Sequence, residues 1–223
     1  MAANRGSAAI AGMNRPRAAA IAGLLAVWSA ACADGAAPSR REAAVYFQRY
    51  TAPDRQQLQT DIRELRQELR AARANRDRAA ALRATADLGE RLTTARREEE
   101  ARTLLAAALA EARPLGPSET LGWLLLNLAT ANQYAGYRDE AGPQFAEALA
   151  LAQSTRSAEL EHYALHHWGR FLAEAGDIAG ARDRFERALD IRKRLGDPRQ
   201  ASTQRALDAL PAWEADFPAS GDP

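Results

Sequence analysis

Residues 165–188 read LHHWGRFLAEAGDIAGARDRFERA, and this stretch decides the fold. Apolar residues recur at helical spacing on both sides of a central Gly176–Asp177 turn. They are Leu165, Trp168 and Leu172 before the turn and Ala181, Phe185 and Ala188 after it. Gly176 suits a left-handed residue at the end of a first helix, and Asp177 can cap the helix that follows. The stretch therefore predicts two amphipathic helices joined by a tight turn.

The same pattern occurs three times along the chain at a spacing of forty residues. The aligned columns are Leu88, Leu128 and Trp168; Gly89, Ala129 and Gly169; Ala101, Ala141 and Ala181; Leu105, Phe145 and Phe185; Ala108, Ala148 and Ala188; and Leu109, Leu149 and Leu189. The small residues allow the two helices of a unit to approach closely. The Leu or Phe that follows the first alanine by four positions is expected to fill the gap to the next unit.

The third unit, with FERALDIRKRLGDPR at 185–199, resembles the forty-residue form of the tetratricopeptide repeat. The resemblance implies an all-α, right-handed α-solenoid of about three helix pairs with a concave groove. The expected divisions are units at 78–117, 118–157 and 158–197, a capping helix at 198–213, and a disordered tail at 214–223.

In that family the first helix of each unit lines the groove, which implies a non-catalytic protein that binds part of another protein there. Large aromatic side chains are typical of binding hot spots. Trp123 and Tyr163 could instead pack only between units, and the sequence leaves this alternative open. The implied partner-binding positions are Trp123, Asn127, Gln133, Tyr134, Tyr163, His166, His167, Arg170 and Glu174.

Catalytic motifs have little support. His162 and His166 are four residues apart and could share a metal ion, which gives the alternative of a metal-dependent enzyme. The surrounding EHYALHH is not the metalloprotease motif, and no third ligand is obvious nearby. No nucleophile elbow, phosphate-binding glycine loop or dinucleotide fingerprint is present in the sequence. We therefore predict no enzyme activity, no cofactor and no metal.

Composition supports an all-helical chain without a nucleic-acid partner. Hydrophobic residues make up 47% of the sequence and aromatic residues 6%, and the abundant Ala, Leu, Arg and Glu favour helix. The net charge is +1, and residues 1–32 hold three arginines and no acidic residue. Removing these leaves 27 basic against 29 acidic residues, with no sustained basic stripe.

The segment 13–33, MNRPRAAAIAGLLAVWSAACA, has the pattern of a secretory signal. Residues 29–32, SAAC, resemble the lipobox of bacterial lipoproteins, which implies a signal peptide at 1–32 and lipidation of Cys32, although Ser29 stands where Leu is usual. Cleavage without lipidation and an uncleaved cytosolic tail are alternatives. The start codon could correspond to Met1 or Met13.

Residues 33–52 are expected to form a linker, and residues 53–77 a helix beginning near Pro53. Leu58, Ile62, Leu65 and Leu69 give this helix one apolar face. That face could pack on the first repeat or join two copies of the chain as a homodimer. The combined expectation is an exported, lipid-anchored adaptor or assembly factor of a bacterial envelope. A cytosolic regulatory module of a signalling system is the alternative.

Overall fold

The computed structural model describes residue 50 and residues 52–214, all within one compact unit of the chain. The predicted signal segment 1–32 with Cys32, the linker apart from residues 50 and 52, and the tail after residue 214 lie outside the described residues. The described helices are α1 Arg55–Ala74, α2 Arg78–Thr94, α3 Glu98–Ala112, α4 Glu119–Ala135, α5 Arg138–Ser154, α6 Ala158–Glu174, α7 Ile178–Leu195 and α8 Gln200–Glu214, with a short 3₁₀ turn at Arg113–Leu115 after α3. The all-α repeat fold is confirmed.

A residue with positive φ occurs every twenty positions along the array, just after the end of a helix or of the 3₁₀ turn that follows α3. These residues are Arg76, Arg96, Gly116, Gly136, Arg156, Gly176 and Gly196. In six of these turns, all but the one at Gly116, the next N–H donates to a carbonyl five residues earlier, as Asp177 donates to Leu172 (3.0 Å). This is the Schellman bond, which satisfies a carbonyl at the helix end. The turn glycine predicted at position 176 is thus confirmed, with a φ of 84°, and Gly136 has the same conformation, with a φ of 94°.

In five of these turns, the residue after the one with positive φ is the N-cap of the next helix, so those links are short. Asp177 Oδ1 accepts the backbone N–H of Gly180 (2.9 Å), which confirms its predicted capping role. Asp54 caps α1 in the same way through the N–H of Gln57 (2.8 Å), so the first helix begins after Pro53 rather than at it. Short capped links force consecutive helices to pack antiparallel.

Small residues of the first helices lie directly against large residues of the second. A Cβ at Gly89 would lie 2.6 Å from Leu105, and one at Gly169 would lie 2.9 Å from the Phe185 ring. Leu105 and Phe185 were expected in the gap to the next unit, but each lies against the glycine of its own pair. The exposed fraction of both side chains is 0%, and burial of each stabilises the fold by about 1.5–3 kcal/mol.

Contacts between units follow the same periodicity. The Phe145 ring of the second unit lies 5.5 Å from the Phe171 ring of the third, measured between centroids. The predicted column Ala101, Ala141 and Ala181 has no exposed surface, whereas Trp168 is half-buried beneath the Arg184 guanidinium (4.3 Å to the ring centroid). One apolar cluster therefore runs from α1 to α7, and a second one joins α6, α7 and α8.

The apolar face of α1 packs within the chain. Ile62 and Leu69 are buried, with 1% and 6% of their surface exposed, and α1 packs against α2. This is the face on which the homodimer prediction rested. Since the monomer already covers it, a homodimer would have to use another surface.

Candidate functional site

First helices of successive units lie side by side. α2 contacts α4, α4 contacts α6 and α6 contacts α8, whereas α3, α5 and α7 make no comparable contacts with one another among the described residues. The first helices are therefore closer together and form the inner side of the array. We call their half-exposed surface on α4 and α6 the inner face.

An aromatic pair lies at the centre of the inner face. Trp123 on α4 and Tyr163 on α6 have ring centroids 5.2 Å apart at 70°, an edge-to-face contact. Trp123 Nε1 donates to Glu119 Oε1 (3.1 Å), which also accepts from Ser157 Oγ (2.9 Å). Both rings are half-buried, so the pair joins two units and also presents aromatic surface.

Arg199 extends this pair, although sequence reasoning did not include it. Its guanidinium lies over the Tyr163 ring, 4.4 Å from the centroid, and it donates to the Tyr163 hydroxyl. The same guanidinium pairs with Asp197 (Nε–Oδ1 2.8 Å). The sequence signal for the position of Arg199 is the DPR segment that follows Gly196. The chain turns back there after α7 ends, and this turn brings Arg199 to α6, the first helix of the same unit.

Polar residues of the inner face join neighbouring first helices. Asn127 Nδ2 donates to the carbonyl of Ala86 in the unit before (2.8 Å), and Gln133 Nε2 donates to Glu174 Oε2 in the unit after (2.6 Å). Arg170 lies 3.7 Å from Glu174. Gln133 is only 5% exposed, so its predicted role in the groove is replaced by a structural one. Tyr134 remains half-exposed on α4.

The three histidines do not share one environment. His167 is half-buried beside Tyr163, with ring centroids 6.2 Å apart, and burial with the nearby charges of Arg170 and Arg192 lowers its pKa to about 3. His166 is 8% exposed and faces α7 rather than a groove, so a partner cannot reach it directly. The prediction that His166 binds a partner is therefore corrected. From the sequence alone, it could not be decided which of the neighbouring positions 166 and 167 is buried and which is half-exposed.

The alternative of a metal-dependent enzyme required a metal ion between His162 and His166, and the Arg192 guanidinium lies at that position. Arg192 Nε donates to His162 Nδ1 (3.3 Å), and Arg192 Nη1 lies 3.4 Å from His166 Nδ1. In this structure the two Nδ1 atoms therefore face a guanidinium rather than each other. Among residues 50 and 52–214, no group of three His, Cys, Asp or Glu side chains has a geometry that could hold a metal ion.

Two further observations concern ligands and membranes. A cavity of about 150 Å³ lies between the α1–α2 turn and α3, smaller than the ~300–1,000 Å³ typical of small-molecule sites. Its lining includes Arg73, Arg76 and Glu111. Within the part of the chain that the structure describes, we find no helix with the length and apolarity needed to cross a bilayer.

Comparisons with known proteins agree with this architecture. No protein-family profile and no curated protein sequence matches the chain. BtubC (BKLC) from P. vanneervenii has a similar structure, with a TM-score of 0.55, 18% identity, and coverage of 74% of this chain and 76% of that one. A Podosopora anserina protein assigned as a kinesin light chain, with nearly identical TPR-like repeats, gives a TM-score of 0.51 and 20% identity over 81% of this chain and 95% of that one. The chain has the fold of the TPR-like repeat proteins, as its sequence periodicity predicted.

Proposed function

We propose that this protein is a non-catalytic scaffold that holds a segment of another protein against its inner face. Helix-pair arrays of this fold are protein-interaction scaffolds at the level of the family. The observation that supports the proposal most is the Trp123–Tyr163 pair with Arg199 over it. Trp, Tyr and Arg are the residues most enriched at binding hot spots.

The array is suited to binding because its inner face is already ordered. Asn127 and Gln133 fix the spacing of neighbouring first helices, and Glu174 connects to Arg170. A rigid surface loses little conformational entropy on association, so more of the contact energy appears as affinity. The partner segment that fits has apolar side chains for the aromatic pair.

Purification of the full-length protein from its own host, followed by mass spectrometry, tests this proposal. Trp123→Ala with Tyr163→Ala should abolish co-purification of the partner while circular dichroism remains unchanged. The matched control is Glu186→Ala with Arg187→Ala on the exposed surface of α7, which should retain the partner. Retention by the aromatic variant would place the binding surface elsewhere.

We further propose that the protein is exported and anchored to a bacterial envelope membrane through Cys32, where it acts in assembly. The signal pattern at 13–33 and the position of the lone cysteine support this proposal. The intact mass of native, detergent-extracted protein tests it. A mass that begins at Cys32 with added acyl chains would support anchoring. A full-length soluble mass would favour the alternative of a cytosolic regulatory module.

A further inference from the structure

A cluster of polar side chains is buried where α6, α7 and α8 meet. Arg192 of α7 is 2% exposed, His162 and His166 of α6 are 0% and 8% exposed, and Thr203 of α8 is fully buried. Polar groups are costly to bury unless they bond to one another. The cluster includes a side-chain hydrogen bond between Arg192 of α7 and Thr203 in the first turn of α8.

The hydrogen bonds of the cluster require both imidazoles to be neutral. Arg192 Nε donates to His162 Nδ1 (3.3 Å), and Arg192 Nη1 lies 3.4 Å from His166 Nδ1. Thr203 Oγ1 accepts from Arg192 Nη1 and lies 3.2 Å from His166 Nδ1, to which it can donate. A guanidinium has no acceptor, so Nδ1 of His162 carries no proton in this arrangement, and a proton added to the neutral His166 ring would place a second cation beside Arg192.

The surrounding charges oppose protonation from most sides. On α6, His167 and Arg170 are near His166, and on α7 Arg192 faces both rings. The α7–α8 loop brings Asp197 Oδ2 to 3.5 Å from His162 Nε2, but Arg199 already pairs with that carboxylate. Burial and the charge of Arg192 lower the pKa of His162 to about 3 and that of His166 well below its usual value.

We propose that this cluster is an acid-sensitive latch that holds α8 on the last helix pair, so that protonation of His162 and His166 releases α8. A second proton on either ring would place an imidazolium beside the Arg192 guanidinium, and on His162 it would also remove the acceptor that faces Arg192. Arg192 would then withdraw and lose its bonds to Thr203 Oγ1 and to the Arg199 carbonyl (3.2 Å). These bonds connect the start of α8 to α7.

Release would uncover the end of the apolar core. The buried part of α8, Ala206, Ala209 and Leu210, covers Ile178, Ala181 and Phe185 of α7. Farther along α8, Trp213 Nε1 donates to the Ala173 carbonyl (2.9 Å). These contacts hold no titratable group, so the pH dependence of the release comes from the histidine cluster.

Amide hydrogen exchange of the full-length protein at pH 7.5 and pH 5.0 tests the latch, after correction for the intrinsic pH dependence of exchange. Protection of α8 should be lower than that of α4 at both pH values and should fall at least about tenfold from pH 7.5 to pH 5.0, since local opening is read directly by this method. His162→Asn with His166→Asn keeps an acceptor near each Nδ1 position but cannot titrate, so it should remove most of this loss. Thr203→Val should lower α8 protection at both pH values and keep the acid response.

Three results would overturn the latch: α8 protection equal to that of α4 at both pH values, which would mean that α8 opens only with the whole fold; no fall of α8 protection in acid; or a fall that persists in the double asparagine variant. If that variant does not fold, His162→Asn and His166→Asn are measured singly. Each should move the midpoint of α8 release to lower pH. Unchanged midpoints in both single variants would also contradict the proposal.

Discussion

Gly169 lies so close to Phe185 that a Cβ there would be 2.9 Å from two atoms of the ring. The two residues are sixteen positions apart and belong to the two helices of one pair. The first unit repeats the relationship with Gly89 and Leu105, and the second has Ala129 and Phe145 at the same positions. Helix spacing is thus set separately in each pair by one small and one large residue.

Gly169→Ala should destabilise the protein by about 1 kcal/mol or more, because the fully buried Phe185 ring must move to admit the added methyl group. Gly142→Ala is the matched control, since its Cβ would make an ordinary 3.6 Å contact with Phe171. There, the lower backbone entropy of alanine is offset by the steric clash of its Cβ with the ring of Pro143, so the free energy of unfolding should fall by less than in Gly169→Ala. Urea denaturation compares the two variants, and equal shifts would contradict the close approach.

Arg156→Gly should stabilise the protein by about 0.5–1 kcal/mol. Arg156 has a φ of 57°, a left-handed conformation that costs an L-residue about 1–2 kcal/mol and glycine little. Part of the gain is lost because glycine has more freedom in the unfolded chain. Gly176→Ala, at φ 84°, is the reverse change and should destabilise. Thermal unfolding compares the two, and a lower melting temperature for Arg156→Gly would refute the argument.

The free energy of unfolding should fall in mild acid. The pKa of His162 in the folded protein is about 3, below the ~6.5 of an exposed histidine, so the unfolded chain binds protons first as the pH falls below 6.5. Each buried histidine should then lower the free energy of unfolding by about 1.4 kcal/mol between pH 7.5 and pH 5.5. Chemical denaturation at the two pH values measures this loss. His162→Asn should reduce it by the share of one histidine, and an unchanged loss would contradict the neutral buried state.

Asn127→Ala should cost about 1 kcal/mol, because the half-buried amide bonds to the Ala86 carbonyl of the preceding unit. Arg113→Ala should cost less than about 0.5 kcal/mol, although Arg113 makes a two-point contact with Glu147 (2.7 and 2.8 Å), because both side chains are well solvated. Denaturant unfolding ranks the two. A larger loss for Arg113→Ala would mean that surface pairs, rather than the inner face, fix the spacing of units.

Sequence periodicity predicted the elements whose local chemistry is distinctive. Glycine at 136 or 176 favours the left-handed conformation at a helix end, and Asp177 favours the N-cap position, so both residue types indicate turns. The alanine column indicates close helix packing. Arg156 has the left-handed conformation that glycine favours, although nothing in its own chemistry indicates it. The hydrogen bonds of its turn to the end of α5 hold it in this conformation. Only its place in the twenty-residue series of turns could have revealed it.

The inner face was predicted less completely than the fold. Helical spacing placed Trp123 and Tyr163 on one surface, where the structure finds them in contact. It could not show that Gln133 lies in the seam between two first helices, since the seam and the open face are adjacent and their border depends on how the helices cross. Arg199 was missed because a loop, rather than a helix, brings it to Tyr163.

Site-specific photo-cross-linking in the native host tests the central claim, that the inner face holds a partner. A cross-linking residue replaces Thr130 or Arg83 on the first helices, or Arg187 on the exposed surface of α7 as the control. The account predicts one partner protein cross-linked from positions 130 and 83, absent from position 187, and lost when Trp123→Ala and Tyr163→Ala are added. Cross-linking of the same protein from position 187 alone would contradict it.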